Sequence, residues 1–304
     1  MRIIELKSNN YRAKINLSRG ANCISLKNTE YNGDILREPD YDNLDNPYLY
    51  GMPILFPPNR ISGGKFEFEG REYTFPINEE AIGCFCHGTL HDSEFKIVSQ
   101  TENSIVCSYI ADKENPYHGF PHEFEIRLTY LLDDALTIKA EIFNNSDENM
   151  PVFLAFHTTF NIPFIKGGKA EDIRFLADVG EEYLRDINYL PTGEKSKDEI
   201  LEKINTGEFR FDNTLVSKHC TASEKGRIEL IDTVNKLKLV YENDEKYKFR
   251  MIYKSEDESY ICTEPQTCLT NCVNMDVDRE TSGFDYIPPK EKKEYYSKIY
   301  IEKI

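Results

Sequence analysis

PVFLAFHTTFNIPF, residues 151–164, sets one histidine, His157, inside a nearly unbroken apolar and β-branched run. Val152, Phe153, Leu154, Phe156 and Phe160 surround it, Asn161 follows, and Pro163 closes the stretch. Apolar continuity of this kind reads as a strand buried on both faces, in preference to a helix ending just before Pro163. An imidazole carried into such surroundings needs a partner or a task. A hydrogen-bonded core histidine and a functional one both fit the stretch taken alone.

Outward from this stretch, nearly everything reads as short strands between turns. Arg2 to Lys7, Tyr11 to Leu17 and Asn22 to Lys27 alternate imperfectly, and the acidic, proline-bearing Tyr31 to Leu49 reads as a long loop. Lys65 to Gly70 and Arg71 to Pro76 form a hairpin pattern turning at Glu69-Gly70. Glu94 to Gln100, Ser104 to Ala111, Glu123 to Leu132 and Ala135 to Asn144 follow at strand length, with Asp133-Asp134 as the last turn. Phe124, Ile126, Leu128 and Tyr130 alternate with Glu125, Arg127 and Thr129, the period of a strand with one dry and one polar face. Ser196 with Glu199 is a capping box before Ile200, Leu201 and Ile204, so a short helix is predicted there, ending at Gly207. Strands resume at Arg227 to Asp232, Lys236 to Asn243, Lys248 to Tyr253 and Tyr260 to Thr263, and Glu294 to Glu302 closes the chain. The pattern predicts an all-β fold, a large antiparallel β-sandwich with one or two short helices. No repeat or linker divides it, so residues 1–304 are expected to form a single domain.

Across 304 residues, 37 basic and 53 acidic side chains leave a formal charge of −16. Such a charge argues against nucleic acid and anionic membrane surfaces as partners and suits a neutral or cationic small molecule. The N-terminus, MRIIELKSNN, lacks a signal-peptide core, and no apolar run is long enough to span a bilayer. The eight scattered cysteines suggest reduced thiols and a cytoplasmic location, with Cys84 and Cys86 read as buried thiols. Neither the Cys84/Cys86/His87/His91 group nor Cys262/Cys268/Cys272 matches a zinc spacing, and Gly119 and Pro121 break up His118 and His122, so no metal is expected.

Three further places combine chemistry with turn residues. Arg60 lies between Pro57-Pro58-Asn59 and Gly63-Gly64, where a loop would present a guanidinium fork to a ligand. His87 precedes Gly88, which would let it approach a ligand without crowding behind it. Glu264 ends an apolar strand before Pro265, which would set its carboxylate at a sheet rim. A solvated arginine, a loop histidine and an edge-strand glutamate would each look the same in isolation.

Taken in order, Phe56-Pro57-Pro58-Asn59-Arg60-Ile61 with Gly64-Lys65-Phe66, Asn78-Glu79, His87-Gly88, Phe120-Pro121-His122-Glu123-Phe124, Asn144-Asn145 and His157-Thr158-Thr159-Phe160-Asn161 resemble the aldose 1-epimerase (galactose mutarotase) family, in its less characterised branch. The resemblance runs from about Tyr50 to Glu264 and implies a β-supersandwich with a sugar cleft on a concave face. It implies Glu264 as catalytic base, His157 as catalytic acid, and Arg60 and His87 as residues holding the ring oxygen and neighbouring hydroxyls. Asp212, in Phe211-Asp212-Asn213-Thr214-Leu215, matches less clearly the aspartate that binds sugar hydroxyls. Two departures bear on the substrate: Thr159 stands where the family has an aromatic, and the chain contains no tryptophan.

The implied activity is interconversion of the α and β anomers of a free aldose without a cofactor. A base takes the C1 hydroxyl proton while an acid protonates the ring oxygen; the ring opens, the C1–C2 bond rotates, and the same groups close it to either anomer. His157 must then start protonated, which an acidic neighbourhood would favour. The partner is a small-molecule sugar, and the chain is expected to act as a monomer or homodimer. A hexose-6-phosphate 1-epimerase would need a basic pocket, of which Arg60 is the only obvious member, and the net charge speaks against it. A non-catalytic carbohydrate-binding protein would lose one of the acid–base pair, and a glycosidase would need two carboxylates astride the bond.

Overall fold

Glu69 and Gly70 both adopt positive φ, at 50° and 78°, and so close the two-residue turn between the strands Lys65–Phe68 and Arg71–Thr74. Across that hairpin Phe66 stacks on Tyr73 at 4.3 Å, as the alternating aromatics predict. The same logic builds the rest of the chain. A computed structural model describes residues 1–42, 44, 46–223, 226–257 and 259–304; residues 43 and 45 of the expected Tyr31–Leu49 loop lie outside the described set.

Two large antiparallel sheets face each other. The first has nine strands in the order Lys96–Gln100, Ser104–Ala111, Phe124–Leu132, Leu136–Asn144, Lys292–Lys303, Leu237–Asn243, Arg227–Asp232, Ile173–Ala177 and Phe209–Arg210. Its Phe124–Leu132 strand buries alternate residues, as its sequence period requires. The second has eight strands, with Pro191–Ser196, Val179–Arg185, Val216–Ala222, Phe249–Lys254, Tyr260–Gln266, Ala155–Phe156 and Ile54–Leu55 in line and Thr158–Asn161 also paired with Tyr260–Gln266. Ile3–Lys7, Tyr11–Asn16, Asn22–Asn28 and Gly33–Asp34 form a smaller meander. Thr158 Oγ1 meets the Tyr241 hydroxyl at 3.1 Å, and Arg250 Nη2 donates to Asn243 Oδ1 at 2.7 Å, so polar struts as well as apolar packing join the two large sheets.

Three local expectations change. The helix Glu199–Thr206 is capped by Asp198, whose carboxylate accepts the Leu201 N–H, and not by Ser196, which ends a strand. Asp198 also takes the Lys218 ammonium at 2.6 Å, a second reason for it to hold the cap. The loop after Phe124–Leu132 has three residues, since Leu132 pairs with Leu136. Val179–Arg185 and Val216–Ala222 are strands that alternation does not reveal, because Glu182 and His219 occupy buried positions that the pattern assigns to apolar residues. A second short helix, Arg279–Ser282, follows the cap residue Asp278. No helix among the described residues is long and apolar enough to cross a membrane.

Candidate active site

Register explains how two residues 107 positions apart meet. Thr158 pairs with Thr263 and Ala155 with Gln266, so the same alignment sets His157 directly opposite Glu264. Cross-strand neighbours on one face have Cβ atoms about 5 Å apart, and the side chains close the rest: His157 Nε2 lies 3.1 Å from Glu264 Oε1. The strand of Glu264 does not end there, as its sequence suggests; it runs to Gln266 and is buried throughout. Pro265 is tolerated because it falls beside the break between Ala155–Phe156 and Thr158–Asn161, where a donor is not required. At that break the His157 N–H bonds the Pro53 carbonyl instead, at 2.9 Å.

The pair opens into a cleft of about 400 Å³, within the range of small-ligand sites. Arg60 and His87 line it too. The strand Arg60–Ser62 pairs with Cys84–Cys86, with Arg60 opposite Cys86, and this brings His87 beside Arg60. Asn59 and His87 both take left-handed backbone conformations, at φ 56° and 65°. Each bonds the other: the His87 N–H donates to the Asn59 carbonyl at 2.9 Å, and the Asn59 N–H donates to His87 Nδ1 at 3.2 Å. That last bond leaves the neutral ring with its proton on Nε2. Gly88 is required for a different reason from the one its sequence suggests. A Cβ there would stand 2.0 Å from the Phe56 carbonyl oxygen, so glycine lets two backbones approach and spares no room for a ligand.

Asn78 and Glu79 brace these residues. The Asn78 side chain grips the Cys86 backbone on both sides, at 2.9 and 2.7 Å. Glu79 holds Arg60 through two parallel bonds, both 2.7 Å. Beyond the strand of Glu264, Asn271 reaches back to the same strand, its N–H to the Arg60 carbonyl and its side chain to the Ser62 N–H.

Several lining residues carried no signal in the sequence. Tyr48, on the turn Pro47–Leu49, puts its ring 4.6 Å from that of His87 and 6.0 Å from that of His157. Tyr189 lies over the Arg60 guanidinium at 4.6 Å, and Tyr253 also lines the cleft. These tyrosines provide aromatic surface in a chain without tryptophan. Loop tyrosines carry no periodic pattern, and only Tyr48's neighbour Pro47 marks its turn. Thr159, in the place of the family's aromatic, is fully buried against Cys262 at 3.3 Å and is not part of the cleft wall. Asp212 is a correction. It is exposed, does not line the cleft, and its carboxylate accepts the Thr214 N–H at 2.8 Å to close a local turn. Cys84 and Cys86 are buried and unpaired, as are the other six cysteines.

Burial governs the titration of this site. It pushes the Glu264 carboxyl up to about 8, against the lowering effect of the Gln266 amide, Arg185 and Arg60. It pushes the His157 imidazole down to about 4, the opposite of the raised value expected from an acidic neighbourhood. His87 is held well below the ordinary imidazole range by burial and by the nearby histidines and Arg60. The pair of His157 and Glu264 therefore carries one proton over a broad neutral window, with a 3.1 Å path along which it can move.

The model of the aldose 1-epimerase family matches residues 2–300. A galactose mutarotase-like protein from Clostridium acetobutylicum superposes with a TM-score of 0.93 at 30% identity, over 99% of this chain and 95% of that one. One from Lactobacillus casei shares the fold, with a TM-score of 0.79 at 18% identity over 99% and 100% of the two chains. The uncharacterised protein YihR of Escherichia coli (strain K12) is 22% identical over 76% of this chain and 74% of its own. With a family model matching almost end to end, and a solved relative at that identity and coverage, this chain belongs to the aldose 1-epimerase family.

Proposed function

We propose that the cleft interconverts the α and β anomers of an aldose by acid–base ring opening and closure. The observation that carries this reading is the contact of His157 Nε2 with Glu264 Oε1 at 3.1 Å, deep in a sugar-sized cleft. In this reading Glu264 accepts the C1 hydroxyl proton and His157 delivers a proton to the ring oxygen. The pair already holds the single proton this exchange needs. Moving it from Glu264 to His157 arms the base and the acid together, without a proton from solvent. The C1–O5 bond breaks, the C1–C2 bond turns, and reversal of the two transfers closes the ring on either face of the aldehyde.

The neighbours suit these roles. His87 keeps Nε2–H as a neutral donor, and Arg60, fixed by Glu79 and with Nη1 also near Asn59 Oδ1, offers its remaining N–H donors to sugar oxygens as charge develops. Glu79, the other carboxylate lining the cleft, is held at both oxygens by Arg60, which does not favour a two-carboxylate glycosidase. Retention of both members of the pair favours catalysis over mere sugar binding.

Polarimetry of freshly dissolved α-aldoses tests the proposal. Wild type should accelerate mutarotation, and Glu264→Gln and His157→Asn should each lose roughly 10² to 10⁴ of that rate while keeping the far-ultraviolet dichroism of the fold. Wild-type rates in Glu264→Gln would remove the base assignment. An inert wild-type protein that still binds sugar would leave a binding protein.

A further inference from the structure

The two guanidiniums in the cleft are not equivalent. Arg60 is matched by Glu79 at both carboxylate oxygens. Arg185, at the end of Val179–Arg185, is fixed mainly by neutral groups and meets a carboxylate only at longer range. Its Nη2 donates to the Ser217 carbonyl at 2.6 Å and to Ser217 Oγ at 3.1 Å, and its side chain is 9% exposed. The nearest carboxylate in contact with it, Glu182, stands 3.9 Å away and is engaged by Lys218 at 2.7 Å. Lys218 is further shared with Asp198 at 2.6 Å. Arg185 Nη1 meets the Met251 sulfur, a weak acceptor, at 3.9 Å, and Nε has no partner.

Charge follows from these contacts. Among the residues lining the cleft, Arg60 and Glu79 cancel, His87 is neutral, and the singly protonated His157–Glu264 pair sums to zero. Arg185 is left as the positive charge on the cleft wall, because Glu182, which with Asp198 offsets Lys218 and Arg185, is not among the lining residues. Position follows from register. Met251 is the cross-strand partner of Glu264, and Arg185 reaches its sulfur past Ser217 from a strand two places beyond that of Met251, so the guanidinium approaches the pair from that side of the cleft. A sugar with C1 at Glu264 would direct a ring substituent, and not the anomeric centre, toward Arg185.

We propose that Arg185 receives an anionic substituent of the sugar, a carboxylate or a phosphate, and that the preferred substrate is an anionic aldose. This rests on the mutarotase reading of the same cleft. It answers the requirement that Arg60 alone does not meet, a positive group free to bind the ligand. An acceptor oxygen at Nη1 adds a charge-assisted bond to a fork whose other arm is already ordered.

Mutarotation of glucose, glucuronate and glucose 6-phosphate, followed by nuclear magnetic resonance exchange between anomers, tests it. One charged sugar should exceed glucose in kcat/KM by roughly 10- to 100-fold, mainly through KM, and which one does so separates the carboxylate from the phosphate. Arg185→Met should collapse that ratio by a similar factor, and Arg185→Lys, which keeps the charge but loses the fork, should restore part of it. Should Arg185→Met fail to fold, the lysine variant and calorimetric titration of wild type with the three sugars carry the comparison. Glucose turned over as well as both charged sugars overturns the inference and leaves the mutarotase reading intact. So does an equal loss on charged and neutral sugars in Arg185→Met, which would make the arginine structural. Failure on every sugar, charged or neutral, removes the mutarotase reading and this inference with it.

Discussion

In the proposed reaction the pair of His157 and Glu264 works only while it holds one proton, and each limb of the pH profile follows from that. Above about 8 the pair loses its last proton and the acid is gone; below about 4 it gains a second and the base is gone. The profile of kcat/KM should therefore be a bell with a broad neutral plateau, falling at both ends. Gln266 bears on the upper limb. It sits two residues beyond Glu264 on the same face and donates Nε2–H to Oε2 at 3.0 Å, which leaves Oε1 for His157. That bond favours the ionised carboxylate, so its removal in Gln266→Met should raise the carboxyl further and move the alkaline limb to higher pH. An alkaline limb that stays in place would mean that Gln266 does not act on the Glu264 proton. Glu264, His157, Arg60 and His87 were all legible in the residue pattern and its resemblance. Gln266, Tyr48 and Arg185 were not, since an amide, a loop tyrosine and an arginine ending an irregular strand are chemically ordinary until something is placed beside them.

Elements owe their ends to side chains that compete for the same backbone groups. Spacing alone assigns the cap of the helix Glu199–Thr206 to Ser196 with Glu199, whereas the residue that caps it is Asp198. Asp198 prevails because it reaches the Leu201 N–H at 3.0 Å and pairs with Lys218, while Ser196 is drawn into a strand. Asp198→Ala should cost about 1–2 kcal/mol in chemical denaturation, and Ser196→Ala should stay within about 0.5 kcal/mol of wild type. Equal losses in the two variants would return the cap to Ser196. The strands with clean alternation, such as Phe124–Leu132 and Leu136–Asn144, were readable to within a residue or two. Val179–Arg185 was not, because Glu182 and Arg185 are buried by mutual and Lys218 pairing, which no period records.

At the scale of the molecule, two sheets are held in one relation by groups that the core does not need for its apolar packing. Arg250 is fully buried on one sheet and reaches the other through Asn243 Oδ1 at 2.7 Å, with the Gly226 carbonyl at 3.1 Å. Burial lowers this guanidinium to about 10, still charged at neutral pH. Asn243→Ala would leave part of that charge unbonded, and a loss of about 1.5–3 kcal/mol in denaturation midpoint multiplied by slope is expected. A neutral result would show that water or the Gly226 carbonyl satisfies Arg250 unaided. The relation so fixed matters for the site, because the sheet that carries Arg250 also carries Glu264, Met251 and Arg185.

The amino-acid sequence by itself determined the all-β class, most strand positions on the large sheets, and the residue types of the acid–base pair. Each of these rests on local period or on side-chain chemistry, which a chain displays without being folded. Only the tertiary structure decided that His157 faces Glu264 in register, that Asp212 closes a surface turn, and that Arg185 lines the cleft with Nη1 bonded to no carboxylate. Those are facts of pairing between distant segments, and pairing depends on which strand lies beside which and on what each buried charge finds when it arrives.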